Sequence, residues 1–356
     1  MTPPALRTLY VYLTSGCNCA CQHCWFVPEV ASPGVAGSDM LEPAVLRRAI
    51  EQATPLGLES LKWTGGEPTL HPQFAEFLSL QKEYELGGLI ETNGMLLSAV
   101  LVEQIVAAGV TNVSVSLDGA NATTHDSIRG VEGGFERTLA GVRELVNSGL
   151  RPELIFTLQR DNLAELEAFF ALAEDLAAGS VELNILQPVL RGAALQNCGG
   201  MLSIAELLEI NHKVNETWPE QFTVPINLDV PMAFRPLSKM INGQAGGACS
   251  ILNILGVLPR GDYALCGVGQ HISELAMGSV METSLKEIWE NHPVLGDLRE
   301  GLPKRLQGVC AECLMRAACL GCCVAANYHL SKDLLAPYWF CEQAEQAGLF
   351  PGSRRR

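Results

Sequence analysis

Residues 8–25 read TLYVYLTSGCNCACQHCW, and this stretch decides the architecture. Residues 8–14, TLYVYLT, read as a buried strand. The loop that follows is Ser15-Gly16-Cys17-Asn18-Cys19-Ala20-Cys21-Gln22-His23-Cys24-Trp25. Cys17, Cys21 and Cys24 are separated by three and then two residues. A strand running straight into grouped cysteines puts thiols at its C-terminal end. In parallel β/α architectures the chemistry sits at that end.

Working outward, helix-like and strand-like segments alternate. Residues 43–54 read as a helix with Pro43 in its first turn, and 58–64 as a strand. Helix 73–84, strand 88–92 and helix 98–108, capped by Ser98, come next. Strand 110–117, helix 135–148, strand 152–158, helix 162–177, strand 181–187 and helix 203–217, capped by Ser203, complete the series. Six successive strand–helix units imply a parallel sheet with right-handed crossovers. Six are too few to close an eight-stranded barrel. The expected fold is therefore α/β, a partial (β/α)6 TIM-like barrel over residues 1–217. From residue 218 the pattern gives way to Gly, Pro and Cys, with short periodic pieces such as 284–291. Residues 218–356 are expected to form a loop-rich, cysteine-rich domain held by metal centres.

Composition narrows the function. The chain has 356 residues, is 48% hydrophobic and carries a net charge of −15. An acidic surface disfavours a nucleic acid partner. The basic ending Arg354-Arg355-Arg356 reads as a solvated tail. No run of eighteen apolar residues predicts a membrane span, and the N-terminus lacks a signal-peptide pattern. A cytoplasmic location is the expectation. Thirteen cysteines are many for such a chain. Disulfides are disfavoured in a reducing compartment, and these cysteines fall into groups, so metal or cluster ligation leads.

Three thiolates suit three corners of a four-iron cluster and leave one iron without a protein ligand. An open position can bind a cofactor directly, as at a catalytic metal. Zinc is the competing reading, but structural zinc usually takes four ligands in two pairs. After the second strand comes Thr64-Gly65-Gly66-Glu67-Pro68, after the third Thr92-Asn93-Gly94, and after the fourth Ser116-Leu117-Asp118-Gly119. Two glycines let a ligand approach the backbone, and a carboxylate can accept from an ammonium group. Each could be an ordinary turn. The cysteine loop, the GGEP run and their order along the strands resemble the radical S-adenosylmethionine enzymes. The resemblance implies that Cys17, Cys21 and Cys24 hold a [4Fe-4S] cluster that chelates S-adenosylmethionine. Reductive cleavage then gives a 5′-deoxyadenosyl radical. It also implies cofactor contacts from Gly65, Gly66, Glu67, Asn93, Ser116 and Arg129. Arg129 suits a carboxylate because its fork matches two oxygens. Residues 186–188 with Arg191-Gly192 again resemble the family. Cys19 stands where the family often has an apolar residue, and its role stays open, as does that of His23.

The second cysteine group runs Cys249, then Gly261 with four residues between it and Cys266, then Cys310, Cys313, Cys319, Cys323 and Cys341. This resembles the seven-cysteine SPASM domain, which binds two auxiliary iron–sulfur clusters. Carried over, Cys310, Cys313, Cys319 and Cys341 hold the outer cluster; Cys249, Cys266 and Cys323 hold the inner one. Its fourth ligand is open. Cys322 blurs the choice beside Cys323, and Cys198 reads as a free thiol.

SPASM-type relatives mostly modify peptides. Gly267 stands where sulfatase maturases have an acidic residue, so no catalytic base is assigned. The opening LYVYLTSGCNCACQHCWF is most similar to maturases of small peptide-modification cassettes such as the SynChlorMet group. The expected reaction is hydrogen-atom abstraction from a peptide substrate, with auxiliary clusters accepting an electron or binding substrate. With about seven residues before the first strand, a separate leader-peptide-binding protein is expected, together with an external electron donor. A radical step in tetrapyrrole or other cofactor synthesis, or sulfatase-type protein maturation, is the alternative. A non-catalytic electron carrier would leave GGEP and Arg129 without a purpose.

Overall fold

The computed structural model describes residues 3–30, 37–241 and 249–356, and every candidate site residue lies among them. Six strands follow one another as the alternation predicts: β1 (Thr8–Tyr12), β2 (Ser60–Thr64), β3 (Gly87–Thr92), β4 (Val110–Ser116), β5 (Glu153–Leu158) and β6 (Ser180–Ile185). Four more come from the cysteine-rich part: β7 (Ile226–Leu228), β8 (Ile254–Val257), β9 (Asp262–Ala264) and β10 (Ala276–Ser279). All ten form one sheet in the order β10-β9-β8-β1-β2-β3-β4-β5-β6-β7. Strands β8 and β1 through β7 are parallel, whereas β9 and β10 turn back antiparallel. Among the described residues β7 and β10 remain unpaired edges, so the barrel is partial.

The sheet is thus wider than six strands. The added strands are three or four residues long, too short to show a period. The part after residue 218 also holds helices, including Leu285–Asn291, Val324–Ser331 and Trp339–Gln346.

Helices cover the sheet for local reasons. In α1 (Pro43–Ala53), Leu46, Ala49, Ile50 and Ala53 share one face and are buried. Helix α2 spans Phe74–Glu83, and α3 (Ala99–Ala107) starts where Ser98 Oγ accepts from Leu101 N. Helix α4 (Ala122–Arg129) starts at the Asn121 cap and stops at Gly130, whose φ of 63° is left-handed. Helices α5 (Gly134–Asn147), α6 (Leu166–Asp175), α7 (Arg191–Asn197) and α8 (Ile204–His212) follow, the last opened by a Ser203–Glu206 capping box. Neither α4 nor α7 is evident from periodicity. The TTHDS of α4 offers no apolar stripe.

One continuous core runs from Leu6 to Phe350 and includes Trp63, Phe156, Phe169 and Phe170 from the barrel with Trp289 and Phe340 from the C-terminal part. Burying each such side chain contributes about 2–3 kcal/mol.

Candidate active site and cluster centres

The C-terminal ends of β1 through β6 surround one open cavity, with about 930 Å³ of empty space. Its wall carries Cys17, Cys21 and Cys24 together with Gly65, Gly66, Glu67, Asn93, Ser116 and Arg129. The structure therefore gathers the whole N-terminal candidate set. The cysteine loop is pinned from below. Ala20 N donates to Arg129 O at 2.9 Å and Gln22 N to Ile128 O at 3.0 Å, so the end of α4 holds it. Tyr12 stacks on Phe26, with ring centroids 5.5 Å apart, and meets Trp25 edge-on. This aromatic group fixes the chain just past Cys24.

The glycines permit close layering. A Cβ on Gly66 would stand 1.9 Å from Gly16 O, and Gly65 has a φ of 138°. Glu67, 1% exposed, ties neighbouring strand ends together. Its Oε1 accepts from Thr69 N, Thr69 Oγ1 and Thr92 Oγ1 at 3.1, 2.5 and 2.7 Å, and its Oε2 from Asn93 N at 2.7 Å. Burial still raises its pKa above the ordinary carboxyl value, against the opposing pull of these bonds.

Arg129 belongs to a buried charge group that sequence reasoning passed over. Its Nε lies 2.7 Å from Asp118 Oδ2, and its Nη1 donates to Cys21 Sγ at 3.6 Å. The Asp118 contact is an ion pair rather than an aligned hydrogen bond. His23 Nε2 reaches the same carboxylate at 3.5 Å, and Gln159 Nε2 approaches His23 Nδ1 at 3.1 Å. Asp118 Oδ1 accepts from Thr157 N at 2.7 Å. Burial opposes the charge on Asp118, yet Arg129 and then His23 outweigh it and hold the carboxyl below its ordinary value. Arg191 Nη1 donates to Cys21 O at 3.1 Å, so two arginines grip this cysteine.

Cys19 faces the same cavity and is 2% exposed. It is packed with Cys17, Cys21 and Met95, and Asn93 Nδ2 donates to its sulfur at 3.6 Å. The neighbouring Cys19 thiol, ahead of Arg129, brings the Cys21 pKa down to about 5 against the effect of burial. Burial pushes Cys24 up to about 11.

The second cysteine group lies around two cavities, and Cys319 lines both. Cys310, Cys313, Cys319 and Cys341 line one small apolar cavity of about 290 Å³ with Pro231, Leu306 and Phe350. Cys249 and Cys323 line a larger cavity of about 1480 Å³ of empty space, with Cys319, Cys322, Lys62 and Asp229. Cys266 is close enough to Cys249 and Cys323 for their charges to raise its pKa, although its burial is the larger cause. Cys198 is exposed just past the end of α7, and its Sγ donates to Leu195 O at 3.4 Å. Among the described residues no three such side chains close to the separations of a single metal ion. The cysteines are spread around cavities, as the ligands of a polynuclear cluster are.

The family model of the Radical SAM superfamily matches residues 11–173, and that of the SPASM iron–sulfur cluster-binding domain matches 249–314. Over 95% of its length the chain is 31% identical to an AdoMet-dependent heme synthase of Methanosarcina barkeri, spanning 96% of that protein. This chain belongs to the radical SAM superfamily. It is also 26% identical to a PqqA peptide cyclase of Gluconobacter oxydans, over 84% of this chain and 80% of the relative. Streptococcus suis SuiB bound to its precursor peptide SuiA superposes with a TM-score of 0.75 at 16% identity, covering 96% of this chain and 76% of that one. At that identity the likeness concerns the fold.

As a radical SAM enzyme with a SPASM domain, the protein binds a [4Fe-4S] cluster, S-adenosylmethionine and auxiliary iron–sulfur clusters. The donor chemistry fits. Cys17, Cys21 and Cys24 face one cavity, with Cys19, beside a glycine wall, and four more thiols surround a second. Sequence reasoning missed Asp118 as a counter-ion and Thr157, Asn184 and Lys62 as cavity residues. Asn184 alternates with Ile185 and Leu183 in β6, so the period of two could have found it. No helix among the described residues is long and apolar enough to cross a membrane.

Proposed function

We propose that this radical SAM enzyme modifies a peptide substrate, maturing a ribosomally made precursor by hydrogen-atom abstraction from a peptide carbon. Cys17, Cys21 and Cys24 hold the catalytic cluster. Gly65, Gly66, Glu67, Asn93, Ser116 and Arg129 receive S-adenosylmethionine. Cys310, Cys313, Cys319 and Cys341 hold the outer auxiliary cluster, and Cys249, Cys266 and Cys323 the inner one. The bound cofactors supply the 5′-deoxyadenosyl radical and an electron acceptor.

One observation carries the reading. The cavity at the N-terminal cysteines and the larger cavity at Cys249 and Cys323 share the wall residues His23, Trp25, Thr157 and Asn184. A substrate in the larger cavity can present a carbon at this waist while lying against the inner cysteines. The larger cavity has room for a side chain with its flanking backbone. Lys62, paired with Glu91 at 2.5 Å, and Asp229, paired with Arg235 at 3.1 Å, offer both signs of charge to an amide chain.

A separate leader-peptide-binding protein and an external electron donor complete the system. The reducing cytoplasm suits so many unpaired thiols. A second reading, a radical step in tetrapyrrole synthesis, is favoured by the full-length relation to the heme synthase.

Anaerobic turnover of the reconstituted enzyme separates the two. A candidate precursor peptide should change mass in step with 5′-deoxyadenosine release. Turnover of a tetrapyrrole with every peptide left intact would overturn the peptide reading. Replacing Cys17, Cys21 and Cys24 with Ala together should abolish 5′-deoxyadenosine, and retained cleavage would refute the cluster assignment.

A further inference from the structure

One ion pair crosses the boundary between the two cavities. Strands β2 and β3 run parallel with Trp63 beside Ile90. Both of those side chains are buried in the core, so strand alternation turns Lys62 and Glu91 to the opposite face, into the barrel. Lys62 Nζ lies 2.5 Å from Glu91 Oε1 and 4.8 Å over the Tyr10 ring. Lys62 lines the larger cavity, whereas Glu91 lines the cofactor cavity.

The charges in each cavity are unevenly matched. Glu67 and Glu91 are the carboxylates among the described residues lining the cofactor cavity. Glu67 is committed to Thr69, Thr92 and Asn93. Beyond Lys62, Glu91 accepts from Thr64 Oγ1 at 3.4 Å, and its side chain is 37% exposed. In the larger cavity Arg235 has its carboxylate partner, Asp229, within the same cavity. Lys62 draws its partner from across the wall. The cofactor adds a permanent charge. Its amino and carboxylate groups are the ones that chelate the open iron in the radical SAM reading, which leaves the sulfonium as the charge without a partner.

We propose that Glu91 is the counter-ion of the S-adenosylmethionine sulfonium, and that Lys62, which Glu91 gives up on cofactor binding, anchors a carboxylate of the substrate. A carboxylate shared by two cations holds each less tightly, so a filled cofactor cavity loosens Lys62. The ammonium, backed by the Tyr10 ring, then faces the larger cavity and takes a second anion. No bond is made or broken; ion-pair partners are exchanged. Cofactor and acidic substrate therefore bind with positive coupling, each tightening the other by the same factor. The peptide reading narrows to a segment that brings a carboxylate into the larger cavity.

The inference rests on the assignment of the cofactor cavity, and the two fail separately. The anaerobic holoenzyme is kept oxidised so that the cofactor stays intact, and binding is followed by calorimetry. Glu91→Gln with full iron content should weaken S-adenosylmethionine about tenfold and leave S-adenosylhomocysteine, which lacks the sulfonium charge, within about twofold. Equal losses for both ligands, or none, would overturn the counter-ion role. A second readout needs no variant. N-hydroxysuccinimidyl acetate, followed by peptide mass spectrometry, should label Lys62 of the wild type several-fold faster with S-adenosylmethionine than with S-adenosylhomocysteine. Unchanged or slower labelling would overturn the release. Three probes then test the anchor in the loaded protein. N-acetylglutamate α-amide carries a side-chain carboxylate, N-acetylglutamine a terminal one, and N-acetylglutamine amide neither. Protection of Lys62 by the first assigns an acidic side chain to the anchor, and protection by the second a chain terminus. Protection by neither, or equally by the uncharged diamide, would overturn it. Replacing Cys17, Cys21 and Cys24 with Ala should abolish S-adenosylmethionine binding. Retained binding there would sink the cavity assignment, and the inference with it.

Discussion

Asp118 has no exposed surface, and it pairs with Arg129 and His23, both of which line the cofactor cavity. Removing one partner of a buried pair leaves the other charge uncompensated. Asp118→Asn should therefore cost about 3 kcal/mol in urea unfolding, with Arg129 left facing Cys21. The wild-type carboxyl is held below its ordinary pKa. Its contribution is thus complete above the unfolded value, near about 4, and disappears as pH falls through the lower folded one. The acid limb of the stability profile should flatten in the variant. Glu182 has the opposite sign. Burial, then Asp229 and Glu153, push it up to about 8. The folded chain keeps a proton that the unfolded chain has released, so stability falls as pH rises from about 4.5 toward that value. Glu182→Gln should remove this loss, read as a higher unfolding midpoint than wild type at pH 8. Neither effect is legible in sequence, because Asp118 and Glu182 look like ordinary turn and strand residues there.

At the scale of elements, the strand ends position the chemistry and the loops are packed in layers. The β1 and β2 loops touch at Gly16 and Gly66, where a methyl group has no room. Gly66→Ala should displace the cysteine loop. The expected result is lower iron content and weaker S-adenosylmethionine binding, with the far-ultraviolet circular dichroism unchanged. The six strand–helix units and their order were readable because each strand is buried and each long helix carries an apolar stripe. Helix α4 was not, since its caps, Asn121 and Gly130, specify it more than any stripe. Yet α4 supplies both Arg129 and the carbonyls that hold the cysteine loop. Glu67 is a comparable case. The motif announces a carboxylate near the cofactor, and the fold turns most of its hydrogen-bonding capacity toward joining β2 to β3.

Across the whole molecule, the barrel and the cysteine-rich part share a sheet and a core. Gln187, just after β6, accepts from Tyr338 Oη and Trp339 Nε1 at 3.0 Å each. This joins the barrel to the helix Trp339–Gln346 that carries Cys341. Gln187→Ala leaves two buried donors unpaired and should cost about 2–4 kcal/mol. Limited proteolysis should then cut the C-terminal part first, and the iron of the outer site should fall before that of the catalytic one.

The sequence by itself determined which cysteines group together, which strand each motif follows and how the barrel begins, because spacing and periodicity are local properties of the chain. Only the tertiary structure decided that Asp118 and His23 meet Arg129 and that two cavities share a waist. It alone brought four short strands from the cysteine-rich part into the barrel sheet. Those facts depend on contacts between residues far apart in the chain, and no local pattern encodes which distant side chains burial will bring together.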